Sequence, residues 1–459
     1  MTTKTHRLPL STKILFAFGN VGLQMMVAAT SFFLLIFYTD VALVPPALAG
    51  TALLVGKLWD VVNDPLFGWL CDRTHSRFGR RRVYLIFCAA PFALSAASLW
   101  MMPAGLSTTA AFIWILVSYA IYDTLFTLIT MPYAALGADL TTDYDDRTSL
   151  VAIGSGGALV GYVLGSVIMP ILVKTSPDAH LGYVFAGGLL GLVAGASVGL
   201  VAWRVKEPPS KPREERESDS LLAAMKSTLQ TRPFVILSLA LAMVRLGLTV
   251  LQTALAFFVI YRLQLGKGGL PLLMGVLLGT VAVTIPFWKW VCTEWTKNGA
   301  YAIGIVLSAI GLTLTFFLEP GQKLPMIGIM VLMGLGMGAH WVAPYAMLPD
   351  VVDYAEVESG ERRTGVYYGV YGLMDKLSRT FGSVAVGWWL DWYGYVPNAV
   401  QTAHADLGIR LVTGPIPAVI LLLALPLLAM YPINRAAHAR LKMRLTLGRS
   451  VPTTLMTRF

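Results

Sequence analysis

The chain has 459 residues, of which 56% are hydrophobic and only 13% charged, and it carries a net charge of +10. Soluble proteins average about 45–50% apolar and about 25% charged residues, so this chain has too little polar surface to clothe globular domains of its size. A soluble enzyme is disfavoured on that ground, and so is a nucleic-acid binder unless the cations cluster on one exposed face.

Met1 to Lys13 is polar and leads into a long apolar run with no small-residue cleavage site behind it. It reads as a retained first helix, not a signal peptide. A membrane-crossing helix needs about 20 apolar residues, and twelve such runs follow: 12–38, 47–71, 83–102, 109–137, 148–173, 181–203, 233–261, 268–291, 299–318, 325–348, 365–393 and 406–432. The fold class expected is therefore all-α and membrane-embedded. One long polar stretch, VKEPPSKPREERESDS, falls between the sixth and seventh runs and reads as a solvated linker. The organisation expected is a six-helix half over 1–204, a cytoplasmic linker over 205–231, a second six-helix half over 232–432, and a basic tail over 433–459 lying on anionic lipid headgroups.

Lys and Arg concentrate at both termini, in the linker and in every second loop, whereas the opposite loops hold only Lys174, Arg262, Lys267 and Lys323. The positive-inside rule then places both termini in the cytoplasm of a multi-pass protein of the plasma or bacterial inner membrane. The positive excess is thus topogenic and calls for no nucleic-acid partner. Cys71, Cys88 and Cys292 are scattered in or beside apolar runs, without metal or disulfide spacing.

The two halves repeat one another. The fourth run ends MPYAALGADLTTDYDDRTS and the tenth APYAMLPDVVDYAEVESGERRT; more weakly, WLCDRTHSRFGRRRVYLI after the second pairs with WVCTEWTKNGAYAIG after the eighth. An internal repeat joined by a long loop is the sequence form of a transporter with its substrate site between the halves. No Walker loop, serine-hydrolase elbow or zinc motif occurs, so no cofactor is expected.

A charge at the bilayer centre is costly and needs a partner or a function. The second run carries Lys57, Asp60 and Asp64, the acids spaced to share one helical face. Hard cations take carboxylate and carbonyl oxygens, so Asp60, Asp64 and the neighbouring Asn63 suit a Na⁺ or H⁺ coupling site; alternatively Lys57 or another helix neutralises one acid. The eleventh run carries Asp375, Lys376 and Arg379. Asp375 and Arg379 are spaced for a local salt bridge, leaving Lys376 to reach the acids of the second run. Arg245 and Asp123 either satisfy each other or line the cavity. Trp341, mid-run, suits a sugar ring, and His340 beside it reads as a satisfied helix histidine. Trp388, Trp389, Trp392 and Tyr393 fit an interfacial aromatic belt. Gly157, Gly161 and Gly165, four apart, form a close helix-packing face.

Taken together, K-x2-D-x2-N-D-P-x2-G, DRTHSRFGRRR and PDVVDYAEVESGERRTG with a later lysine resemble the glycoside–pentoside–hexuronide:cation symporters of the major facilitator superfamily. Melibiose permease belongs to this group, and eukaryotic lysolipid symporters are relatives. The resemblance runs from FGN and FYTD in the first run to GYVPNAVQT after the eleventh. It implies a twelve-helix major facilitator fold of two pseudo-symmetric halves. It implies a cation site at Asp60, Asn63, Asp64 and Thr127, with Lys376 linking it to the substrate and Trp341 matching the family's tryptophan. Apart from the resemblance, the cations Lys376, Arg379 and Arg245 suit an anionic solute. The galactoside-binding positions do not carry over: they are Val21, Thr130 and Ser155 here, and a valine bonds no sugar hydroxyl.

The expectation is Na⁺-coupled symport, with H⁺ the other ion considered, of a small organic solute: a glycoside, uronide or similar, not an α-galactoside, or else a lysophospholipid. The protein is expected to act as a monomer among membrane lipids. Asp72, Arg73, Arg80 and Arg81 in one loop, Asp139 and Arg147 in the next, and Asp350 and Arg363 in the second half are expected to form cytoplasmic charge clamps, or to be plain topology determinants.

Overall fold

The computed structural model describes residues 8–74, 76–141, 143–205, 207, 221–266, 268–359, 364–433, 437, 440 and 441. All regular elements among them are helical. In chain order they are α1 (Leu10–Ile36), α2 (Pro46–Arg73), α3 (Arg82–Ser98), α4 (Thr108–Asp139), α5 (Tyr144–Thr175), α6 (Ala179–Arg204) and α7 (Leu221–Thr228). There follow α8 (Arg232–Phe257), α9 (Gly269–Glu294), α10 (Lys297–Thr315), α11 (Lys323–Ser359), α12 (Thr364–Trp392), α13 (Ala403–Thr413), α14 (Pro415–Leu422) and α15 (Ala424–Ala429).

Local chemistry sets the starts. Ser107, Asp143, Asp178, Thr296 and Thr402 each turn a side-chain oxygen onto a free backbone N–H in the first turn of α4, α5, α6, α10 and α13. Proline opens α2, α8 and α14, where no N–H partner is missed.

Among the described residues, 9 helices are long and apolar enough to cross a membrane. α3 is apolar but shorter, while α2 and α12 are long enough and carry the intramembrane charges that lower their hydropathy. Together they are consistent with twelve crossings. Two details differ from expectation. The linker contains the short helix α7, and the twelfth crossing is broken at Gly414–Pro415, where proline withholds a backbone donor.

In the first half α1 packs on α5 and α6, α3 on α4 and α6, and α2 on α4; in the second α11 packs on α9 and α10, and α8 on α12. The expected glycine face is real: a Cβ on Gly157, Gly161 or Gly165 would strike the carbonyls of Ala17, Val21 or Met25, so glycine alone lets α1 and α5 approach this closely.

The repeat is visible in the backbone. α1 ends in a π-helical turn, Phe37–Val41, before the left-handed Leu43 at φ 56°. α8 ends in another, Phe258–Arg262, before the left-handed Gln264 at φ 50°. Asp40 and Tyr261 therefore hold equivalent places, and they bond to each other across the pseudo-axis. Tyr395 donates to the same carboxylate at 2.7 Å, and Asn398 Nδ2 donates to the Asp40 carbonyl at 2.6 Å.

The halves meet along α2 with α12, α5 with α9, and α1 with α8. Contact is tight toward the Asp40 end, where Gly50 abuts Gly387 and Trp388 donates to Thr51 at 2.9 Å. Toward the linker end α12 faces open space: a Cβ on Gly365, Gly369 or Gly372 would meet nothing within 4 Å. Closed at the Asp40 end and splayed at the other, the molecule holds its charged residues where the two halves part.

Candidate functional site

The helical spacing of Asp60 and Asp64 brings both carboxylates to the α12 side of α2. Lys376 on α12 places Nζ 3.0 Å from Asp60 and forms a second ion pair with Asp64. From α4, Thr127 Oγ1 stands 3.4 Å from both acids and donates to them. Three helices thus converge on one spot, filled by an ammonium.

Asn63, the fourth residue expected there, is fully buried and turned elsewhere: its Nδ2 donates to Asp123 at 3.4 Å, and its Oδ1 has no partner among the described residues. The cause is helical phase, since Asn63 precedes Asp64 by one residue and so points about 100° around the helix from it. Lys57 does not neutralise Asp60. Its Nζ donates to Ser383 on α12 at 2.7 Å, and it has no carboxylate within ion-pair distance among the described residues.

Arg245 and Asp123 do not satisfy each other. Arg245 Nε lies 2.8 Å from Asp375, which also takes the expected local pair with Arg379. Asp123 instead lines a cavity of about 210 Å³ between the halves, with Lys57, Asp60, Thr127, Lys376 and Arg379. Leu34, Leu35, Leu53 and Phe126 give that cavity apolar walls; Gln252 and Thr253 add polar groups from α8. Among the described residues, four carboxylates (Asp60, Asp64, Asp123, Asp375) and four cations (Lys57, Arg245, Lys376, Arg379) accordingly stand in and around it.

Of the three positions where the sugar contacts fail to carry over, Thr130 lines this cavity and also a second of about 430 Å³ between α1, α4 and α5, where Ser155 lies. Val21 lines neither and packs on Gly161. Trp341 also lies outside both linings; its ring stands edge-on to Tyr162 at 6.0 Å, across the junction of the halves. His340 bonds Ser308 at 3.2 Å and packs on Tyr301.

At the linker end Arg81 pairs with Asp139, and Glu207 accepts from the Arg81 N–H at 2.9 Å. Lys297 pairs with Asp350 at 2.6 Å in the corresponding place of the second half. Each pair lies within one half, so neither clamps the halves together in this conformation. Arg73 is exposed and Arg80 half-buried. Arg363 and the side chains of Asp72 and Arg147 lie outside the described residues. Sequence reasoning missed the Asp40–Tyr261–Tyr395 cluster, although the equivalent positions of Asp40 and Tyr261 in the repeat were a usable signal. It also missed the buried pair of Lys13 with Asp146 at 2.8 Å.

Residues 15–435 match the family described as MFS/sugar transport protein. An uncharacterized symporter of Bacillus subtilis is 28% identical over 93% of this chain and 92% of its own length. The sodium-dependent lysophosphatidylcholine symporter 1 of Xenopus tropicalis is 27% identical over 97% of this chain and 91% of its own. Among solved structures, a D-xylose–proton symporter superposes with a TM-score of 0.66 at 16% identity, over 92% of this chain and 98% of that one, a likeness of fold. With its helical repeat and intramembrane charges, this multi-pass membrane protein is a transporter, not an enzyme, and it belongs to the MFS/sugar transport family.

Proposed function

We propose that the protein couples uptake of a small organic solute to inward Na⁺ flow by alternating access. The observation that carries this is the seat of Lys376: its ammonium stands between Asp60 and Asp64, with the Thr127 hydroxyl alongside. Two carboxylates and a hydroxyl are hard oxygen donors, the set that suits Na⁺. Na⁺ entering between Asp60 and Asp64 takes over the neutralising role and releases Lys376 toward the cavity. Without Na⁺ the lysine returns, the carrier stays charge-paired, and it can reorient empty. A half-loaded carrier leaves buried charge unpaired, which penalises transit.

The positive-inside pattern makes the linker end and both termini cytoplasmic. On that orientation the conformation is inward-open, with Lys376 seated between the two acids. Arg81–Asp139 and Lys297–Asp350 then mark the surfaces that approach when the inner side closes. A single chain contains the whole cavity, so the monomer is the working unit. The sodium dependence of the lysophosphatidylcholine symporters supports Na⁺ as the coupling ion.

A second reading, uptake or flipping of a lysophospholipid, is favoured by the second cavity, which shares Thr130 with the central one. Phe16, Leu23 and Val151 line the second one, apolar walls that suit an acyl chain.

The test is uptake into proteoliposomes from a panel of sugars, uronides and lysolipids, with an inward Na⁺ gradient or choline in its place. Accumulation should follow the gradient and be lost in Asp60→Asn and Asp64→Asn. Uptake indifferent to Na⁺ refutes symport, and a Na⁺-dependent melting shift that survives both substitutions refutes the cation site.

A further inference from the structure

Lys57 and Arg379 have no part in the cation cycle, yet both line the central cavity. Lys57 is a membrane-embedded ammonium held by the Ser383 hydroxyl and the face of the Tyr119 ring, with no carboxylate within ion-pair distance among the described residues. Arg379 binds Asp375, which Arg245 also serves, and its side chain remains 48% exposed. A guanidinium has five N–H donors, so this one keeps donors free beyond Asp375. Ser383 is four residues beyond Arg379 and lies on the same face of α12. The Lys57 ammonium therefore sits about one turn from Arg379 on one wall, the first cation contributed by α2 and the second by α12.

We propose that Lys57 and Arg379 form an oxyanion site, and that the solute carried with Na⁺ bears a carboxylate or phosphate. This rests on the Na⁺ symport reading above. The formal charges agree: four carboxylates and four cations among the described residues cancel without ligand, one Na⁺ adds a positive charge and frees Lys376, and a monoanionic solute restores formal neutrality before the halves move. These two cations belong to α2 and α12, the helices along which the halves meet, so one bound oxyanion bridges the two halves. Hydroxyls and amides nearby, Thr130, Gln252 and Thr253, can take the remaining polar groups of such a solute.

The oxyanion can belong to a free solute or to a lysolipid headgroup, and matched probes separate the two. Melting of the full-length protein in detergent is measured with D-glucuronate against D-glucose, and with lysophosphatidic acid against monoacylglycerol, each in Na⁺ and in choline. Inorganic phosphate serves as the simplest anion. Stabilisation by the anionic member alone, dependent on Na⁺, is the result expected; the pair that responds names the source. Lys57→Gln and Arg379→Gln should each weaken the anion response at least tenfold while keeping the shift due to Na⁺ alone, which also reports that they fold. Lys57→Arg, which keeps the charge, should retain the response.

Equal shifts from neutral and anionic members, no shift from any anion, or an unchanged anion response in both Gln variants overturns the proposal. Failure of Na⁺ itself to shift melting in the unsubstituted protein instead overturns the symport reading on which it rests.

Discussion

Replacing Lys376 with glutamine is the most direct test of how the cation site works. At 3.0 Å from Asp60, a unit charge pair is worth about 5–6 kcal/mol at an effective dielectric constant of about 20. The lysine side chain is 33% exposed, so solvent screening takes a share, and the desolvation of three charged groups offsets more. Removing one partner of a buried pair typically costs about 3–5 kcal/mol; with this exposure the lower figure, about 3 kcal/mol, applies. Na⁺ must displace the ammonium in the native protein and has no such competitor in the variant. That 3 kcal/mol returns as affinity, roughly 100-fold tighter Na⁺ binding at about 1.4 kcal/mol per tenfold. Na⁺ titration followed by calorimetry, or by the melting shift, reads it out. Net uptake should collapse at the same time, because the Na⁺-free variant holds two unpaired carboxylates and cannot reorient empty. Unchanged or weaker Na⁺ binding in a folded Lys376→Gln protein would show that the lysine does not occupy the ion's place.

Further expectations follow from the packing and from the cluster at Asp40. Gly161→Leu forces a side chain into the Val21 backbone and should cost about 1–3 kcal/mol, seen as a lower melting temperature. Gly156→Leu, on the same helix but with nothing within 4 Å, should melt near the native value; equal effects would refute the glycine-face account. Asp40→Ala removes an acceptor shared by Tyr261, Tyr395 and Thr39. At about 1.5–3 kcal/mol per hydrogen bond to a charged group, the closed arrangement at that end should lose at least about tenfold in population. A cysteine at Thr51 in an otherwise cysteine-free protein should then react faster with an impermeant maleimide, and an unchanged rate would dismiss the latch.

The crossings were legible because a bilayer imposes one requirement, about 20 apolar residues per helix, which leaves a long signal in the chain. The acids and Lys376 were legible for the converse reason, as charges too costly to be idle there. What the sequence hid depends on helix rotation and on partners distant in the chain. Arg245 and Asp375 are far apart in sequence, and only the contact of α8 with α12 pairs them. Val21 and Trp341 fall outside the cavity linings although the family resemblance set them near the substrate, since a small rotation turns a residue from cavity to neighbouring helix. Tyr261 and Tyr395 look like ordinary interfacial aromatics until the repeat sets Tyr261 opposite Asp40. Within α2, one residue of phase separates Asp64, which faces Lys376, from Asn63, which faces Asp123.

The charges divide unequally between the halves, and that division bears on coupling. α2 and α4 supply Asp60, Asp64 and Asp123 against Lys57, while α8 and α12 supply Arg245, Lys376 and Arg379 against Asp375. The first half is thus negative by two charges and the second positive by two, so the empty cavity is balanced across the junction, with Lys376 reaching over to the acids. A cation is attracted to the acids of the first half, and an oxyanion to Lys57 and Arg379 where the halves meet. Either ligand alone leaves one net charge in a low-dielectric cavity, whereas both together leave none. Obligatory co-transport then needs no separate sensor for each ligand: the penalty on a singly charged cavity during reorientation supplies the coupling. The same logic predicts that neutralising one charge, as in Lys57→Gln, shifts the preferred solute charge by one unit toward neutrality, a change visible in the D-glucuronate and D-glucose comparison.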